Sequence, residues 1–294
     1  MDVQYGFAII NGLATAMGIF LVASGLTLIF GILKILNFSH GSFFMVGAFI
    51  TASFFGTDIS SLPAFFAASL AAGLAVGAIG LVVDRFVFRR LRTVDESYVL
   101  IATFAMLLLC EGIVKQIWGM GFRAVGPPEL LAGGLKFGTI IVPTYSLFVI
   151  AAGLLIFVVL EIAISLSWTG KLVQALSLDA WMTSLMGVNV PLMLAGTVVF
   201  GFLLAGMAGG LLLPNQSLSS SLANTVTLHA FAAVIIGGLG SIRGAFYAAC
   251  ILGLTESLNV VLLPDFPGIA VYFAMVGFIL LRPNGLVIQA YSRS

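Results

Sequence analysis

The stretch 62-LPAFFAASLAAGLAVGAIGLVV-83 carries no charge and hardly a polar group. A bilayer core of roughly 30 Å takes about 20 apolar residues at about 1.5 Å of helix rise each, and this run supplies them. Working outward, similar runs occupy roughly 7–33, 38–55, 97–118, 145–166, 190–213, 244–262 and 267–281. Between the last three lies 228-LHAFAAVIIGGLG-240, too short to cross comfortably, which reads as a half-helix or re-entrant segment. The expected fold is an all-α polytopic membrane protein: about eight spanning helices plus that short segment, in one transmembrane domain over residues 1–294.

Composition agrees. The chain is 61% hydrophobic and only 8% charged, against roughly 25% charged in soluble domains. A net charge of +1 gives nucleic acid no electrostatic hold. Cys110 and Cys250 fall inside apolar runs and read as small hydrophobes. The opening Met1-Asp2-Val3 lacks the basic region of a secretory signal, so the first run is expected to be retained as a span. Among the 34 glycines, rows such as Gly73-Gly77-Gly80 and Gly201-Ala205-Gly209 read as close helix packing.

Lysine and arginine in short loops mark the cytoplasmic side, and the densest cluster is Arg85, Arg89, Arg90 and Arg92. Alternation from that loop puts 119–144 outside, 167–189 inside, 214–227 outside, and Arg243 and Arg282 inside. The N-terminus then faces out, the C-terminus faces the cytoplasm, and Lys34 lies at a cytoplasmic helix end.

Catalysis finds little support. No GxxxxGK[ST] occurs to cradle the phosphates of ATP and no HExxH occurs to hold zinc. A nucleophilic serine needs a histidine base, and Ser24 with His40 or His229 has no supporting motif. No metal site is expected. Membrane-depth carboxylates are costly and point to function by default. Glu111 stands four residues before Lys115, a spacing that permits an ion pair. Glu161 lies near the inner end of its run, within reach of headgroups. Glu256, flanked by Thr255, Ser257 and Asn259, either lines a path or ties two helices together.

In 31-GILKILNFSHGSFFMVGAFI-50, Asn37, Ser39, His40 and Gly41 sit where the apolar chain breaks. Taken alone they read as a hydrogen-bonded break that satisfies freed backbone groups. A second occurrence shifts the balance: 39-SHGSFFMVGA-48 and 242-IRGAFYAACI-251 each give a polar or basic residue, Gly, a small residue and an aromatic. Both open a helix leaving the cytoplasmic side. Broken segments at corresponding positions of two halves point to a transport path, and the repeat would be of the parallel kind.

Three stretches carry a resemblance. The run 25-GLTLIFGILKILNFSHGSFFMVGAF-49, the run 229-HAFAAVIIGGLGSIRGAFYAACILGLTES-257 and the shorter 205-AGMAGGLL-212 resemble signature blocks of the permease subunits of branched-chain amino acid ABC importers, the LivH-like group. The resemblance implies a permease of the bacterial inner membrane for branched-chain amino acids or related small solutes such as amides, urea and organic acids. It is not itself an enzyme and holds no cofactor. ATP is expected on two separate ATPase subunits, with a second permease, similar but not identical, completing the pore and an external solute-binding protein delivering the substrate. Asn37, Ser39, His40, Gly41 and Glu256 would line the path. The family's coupling segment would fall at about 170–189. There 171-KLVQALSLDAWMTSLMGVNV-190 keeps the Gly187-Val188 end but is oilier than the family pattern, with Leu178, Asp179, Trp181, Met182 and Gly187 facing the ATPase from a short helix over 171–186. The alternative from another class is an ion-coupled secondary transporter using Glu256 as its proton or sodium site.

The arginine cluster and the alternation it imposes predict that Arg89→Cys is protected from an impermeant thiol reagent in intact cells while Ala132→Cys is modified. The reverse pattern would invert the topology.

Overall fold

Inside hydrocarbon no water binds a backbone N–H or C=O, so each apolar run closes its own hydrogen bonds as helix. In the computed structural model, which describes residues 2–55, 59, 61–92, 94–137, 140–266, 268–282 and 285–287, the eight runs become α1 (Asp2–Leu33), α2 (His40–Phe54), α3 (Leu62–Val83), α5 (Glu96–Trp118), α6 (Thr144–Leu166), α9 (Val190–Leu212), α11 (Ile242–Leu262) and α12 (Ile269–Leu281). A π-turn, Asp84–Phe88, carries α3 directly into the short α4 (Arg89–Leu91). The arginine cluster therefore ends a continuous helix, where cations complement the C-terminal dipole, and Arg92 pairs with Asp84.

Six of the described helices are long and apolar enough to cross a membrane; α2, with 15 residues, and α12, with 13, are not. The sequence reading of 38–55 as a full span included residues that form the break before α2. Protein, not lipid, surrounds this helix: 11 of its 15 residues are buried. The expected half-helix at 228–240 lies largely within a longer one, α10 (Leu222–Gly237), which ends where Gly238 takes φ 101°. The segment 119–143 holds an antiparallel hairpin, Gly134–Phe137 with Ile140–Pro143, that the all-α reading did not foresee. A bridge between Arg123 and Leu218 ties this segment to the one before α10.

Burial sorts the helices into two layers. In α1 78% of the most apolar window is buried, against 17% in α6, so α1 belongs inside and α6 presents most of its surface outward. The most extensive packing runs between α3 and α9 and between α1 and α11. The two small-residue rows serve this packing: Gly73 and Gly80 lie against Leu203 and Phe202 of α9, while Gly201 lies against Ile29 of α1. Helix starts are capped locally. Ser241, Asn189 and Ser167 accept from the N–H of Gly244, Leu192 and Gly170, each satisfying a donor that has no intrahelical partner.

Helices α2 and α9 approach closely: a Cβ on Gly47 would lie 2.3 Å from Gly206 O and 2.5 Å from its Cα. Gly47→Ala must push the helices apart, at about 1–3 kcal/mol for overpacking. Gly196→Ala, with nothing within 4 Å of the added carbon, should be neutral. Detergent-induced unfolding of the two variants checks the contrast.

Candidate functional site

The break between α1 and α2 is the first place where polar side chains converge. Lys34 leaves α1 with φ 57°, a left-handed conformation that a non-glycine residue adopts at some cost. Its N–H still donates to Phe30 O at 3.0 Å. The carbonyls freed beyond it are answered from other helices. The hydroxyls of Thr103 on α5 and Thr227 on α10 lie 3.3 Å from Leu36 O and Phe38 O, each sharing its single proton with a nearer carbonyl of its own helix, Leu100 O at 3.1 Å and Ala223 O at 2.7 Å. The Asn37 carboxamide oxygen accepts from the N–H of Ser39 at 3.1 Å and from its hydroxyl at 2.6 Å. His40 Nε2 donates to Val22 O of α1 at 3.1 Å, since a carbonyl can only accept. Asn37, Ser39 and His40 are fully buried, Gly41 abuts Ala223 and Thr227 of α10, and none of the four lines the cavities described next.

Two cavities flank α1. The first, about 460 Å³, opens near the end that carries Pro143, Asn215 and Gln216 and runs along Asn11, Thr15, Gly18 and Val22 of α1. Ser146 of α6, Thr225 and His229 of α10 and Glu256 of α11 complete its polar wall. The second, about 360 Å³, lies toward the opposite end, between Thr27 and Gly31 of α1, Glu161 of α6, and Ser241 and Arg243 at the start of α11. It also touches Gln174 and Ser177 of α7 (Trp168–Leu178).

On α6 and α11 an aromatic cluster lies between the residues that line the two cavities. Phe157 of α6 stacks on Phe246 of α11 at 4.1 Å, and Phe20 of α1 meets both edge-on, at 5.7 and 5.3 Å. Along α11 the order is Arg243, Phe246, Glu256. The ten residues from Phe246 to Glu256 amount to about 15 Å of rise. Along α6 the order is Ser146, Phe157, Glu161.

The carboxylates resolve differently. Glu111 does approach Lys115, at 3.9 Å, and also accepts from Asn224 of α10 at 2.7 Å. Glu161, read as reaching headgroups, instead accepts from Arg243 Nε at 2.7 Å, an ion pair across α6 and α11 in the wall of the second cavity. Sequence separation hid this partner, because the two residues stand on different helices. Glu256 is not isolated: its Oε2 lies 3.6 Å from His229 Nε2. The place of His229 one helix across from Glu256 is a tertiary fact. Beside Glu256, Ser257 donates to Ala8 O of α1 at 2.7 Å. Among the described residues no three His, Cys, Asp or Glu side chains converge as a metal site would need.

The segment expected to couple is broken in two. Asp179 takes an extended conformation and its side chain accepts from Met182 N–H at 2.9 Å, ending α7 and starting α8 (Ala180–Leu185). A residue that caps the second helix cannot lie within one continuous helix over 171–186. Leu176 is buried against the bundle, whereas Leu178, Trp181, Met182, Leu185 and Met186 are exposed. Gly187 turns the chain toward α9 with φ 80°.

Comparison with known proteins places this arrangement in context. Residues 8–281 match the family model described as branched-chain amino acid transport system, permease component. The high-affinity branched-chain amino acid transport permease BraD of Pseudomonas aeruginosa is 28% identical over 95% of this chain and 94% of its own length. LivH of Salmonella typhimurium is 27% identical over 94% of this chain and 93% of its own. A probable LivH permease of the archaeon Methanocaldococcus jannaschii is 27% identical over 81% of this chain and 76% of its own. No solved structure matches the chain.

Proposed function

Because the chain belongs to the family of permease components of branched-chain amino acid transport systems, we propose that it forms, with a second permease subunit, the translocation path of an ATP-driven importer for branched-chain amino acids or closely related small solutes. The observation that carries the reading is the pairing of whole-chain family membership with two polar cavities that approach each other from opposite ends along α1. The first cavity would open outward and receive solute from an external binding protein. The second, beside α7, would open to the cytoplasm. On this reading the start of α1 faces outside and the arginine-rich end of α3–α4 faces the cytoplasm; the C-terminal residues expected inside lie outside the described residues.

Transport then requires the Phe20–Phe157–Phe246 layer to part and the Glu161–Arg243 pair to re-form around the passing solute, as rigid groups of packed helices rock against each other. Glu256 lines the path directly. Asn37, Ser39, His40 and Gly41 act on it from behind, as the hydrogen-bonded joint between α1 and α2. Polar groups along the path hold solute weakly, since tight binding would slow release.

The exposed face of α8, centred on Trp181, is the docking surface for a cytoplasmic ATPase. Aromatic anchors of this kind dominate contact energies, and a contiguous exposed apolar patch commonly marks a partner surface. Trp181→Asp should release the ATPase in pull-down while the permease stays inserted and folded. Gly187→Val, which forces a β-branched residue into a left-handed turn, should uncouple ATP hydrolysis from uptake with the complex intact. Retention of the full ATPase complement and full transport by Trp181→Asp would make α8 a membrane-surface helix only.

A further inference from the structure

We infer that His229 and Glu256 together recognise the charged end of a zwitterionic α-amino acid, while the apolar wall of the same cavity takes its side chain. The inference rests on the substrate reading above and adds the residues and the chemistry that would select it.

The geometry of the pair supplies the first argument. His229 Nδ1 lies 3.0 Å from Thr225 O, and a carbonyl only accepts, so Nδ1 carries a proton. The other nitrogen, Nε2, faces Glu256 Oε2 at 3.6 Å. Two bare acceptors would repel there. One proton between the ring nitrogen and the carboxyl group relieves that repulsion, so the pair offers a donor and an acceptor side by side. At 3.6 Å the contact is longer than a hydrogen bond, and Glu256 Oε2 has no hydrogen-bond partner. That oxygen is buried, but the Glu256 side chain is 31% exposed, so a substrate ammonium in the cavity meets the carboxyl group from its open side while the substrate carboxylate pairs with the ring.

The second argument is what else lines the cavity. Among the described residues that line it, His229 and Glu256 are the only titratable side chains, and Phe7, Ile19, Val22, Phe44, Leu212 and Val226 form its apolar wall. A volume of about 460 Å³ is in the range of small-ligand sites. A histidine beside a carboxyl group, with the uncharged polar Asn11, Thr15, Ser146 and Gln216 and the apolar wall around them, favours a ligand of no net charge whose own two charges sit together. An amine alone would leave the His229 ring unanswered, and a carboxylic acid alone would leave Glu256 unanswered, the kind of loss by which polar sites reject incomplete substrates.

The test uses the complete complex with its ATPases and binding protein in proteoliposomes, with Cys110 and Cys250 replaced by alanine and a reporter thiol introduced as Val226→Cys in the cavity wall. The rate of N-ethylmaleimide labelling is followed with leucine, with isopentylamine, which lacks its carboxylate, and with 4-methylpentanoate, which lacks its ammonium. In the parent, leucine should slow labelling several-fold and the two analogues should not. Glu256→Gln should abolish protection by leucine and let 4-methylpentanoate protect, whereas His229→Gln should let isopentylamine protect. Equal protection by leucine in parent and both variants, or none in a parent that transports leucine, overturns the inference alone. Loss of protection by every ligand in both variants assigns the pair a purely structural role and also overturns it. A parent that takes up no leucine overturns the substrate reading itself.

Discussion

A backbone carbonyl released inside a bilayer must be bonded by protein, because nothing else there can donate to it. Between Leu33 and His40 the chain releases several, and the way they are answered organises the inner layer. Thr103 reaches in from α5, Thr227 from α10, and His40 reaches back to Val22 on α1. Asn37 and Ser39 close the turn on each other. One short irregular segment thereby fixes α1, α2, α5 and α10 relative to one another. Because α2 is sheathed by these neighbours, 15 residues suffice for it; a helix facing lipid would have to be longer to bury its ends' backbone groups.

Around that joint the remaining helices are held by close backbone approach and not by bulky side chains. Small residues on α3, α9 and α2 let the helices touch, which within a membrane takes the place of the hydrophobic drive that water supplies elsewhere. The cost is that such packing leaves little slack. Polar space remains at two places along α1, in the cavities that it shares with α6, α10 and α11. Both cavities are bordered by an acid and a base on different helices, Glu256 with His229 and Glu161 with Arg243, and an aromatic layer lies between them. A permease that must admit a solute from one side and release it on the other needs this sequence of polar space, dry constriction and polar space.

Much of the fold was legible in the chain because the bilayer makes one-dimensional demands. Length and continuity of apolar runs located every long helix, and the 3.6-residue period placed the glycine rows of α3 and α9 on packed faces. The Glu111–Lys115 pair, four residues apart on one helix, was readable for the same reason. The pairing of 134–137 with 140–143 was not, because two four-residue strands are too short to leave a periodic trace. The break of the coupling segment at Asp179 was missed although its signal was present: an aspartate three residues before the Met182 N–H it accepts from is a capping pattern, masked by the apolar residues on both sides.

By itself the sequence determined that this is a helical membrane protein, where its helices run and which family it resembles, since hydropathy, length and local motifs are all encoded within contiguous residues. Only the tertiary structure decided what the polar residues do. Asn37, Ser39 and His40 looked like a path and are packed into a joint; Glu161 looked solitary and pairs with Arg243; Glu256 acquires His229 from a helix 27 positions earlier. The physical reason is that a charge buried in a bundle is answered by whichever helix lies opposite, and which helix lies opposite is a matter of packing angles and small-residue contacts that no local pattern records.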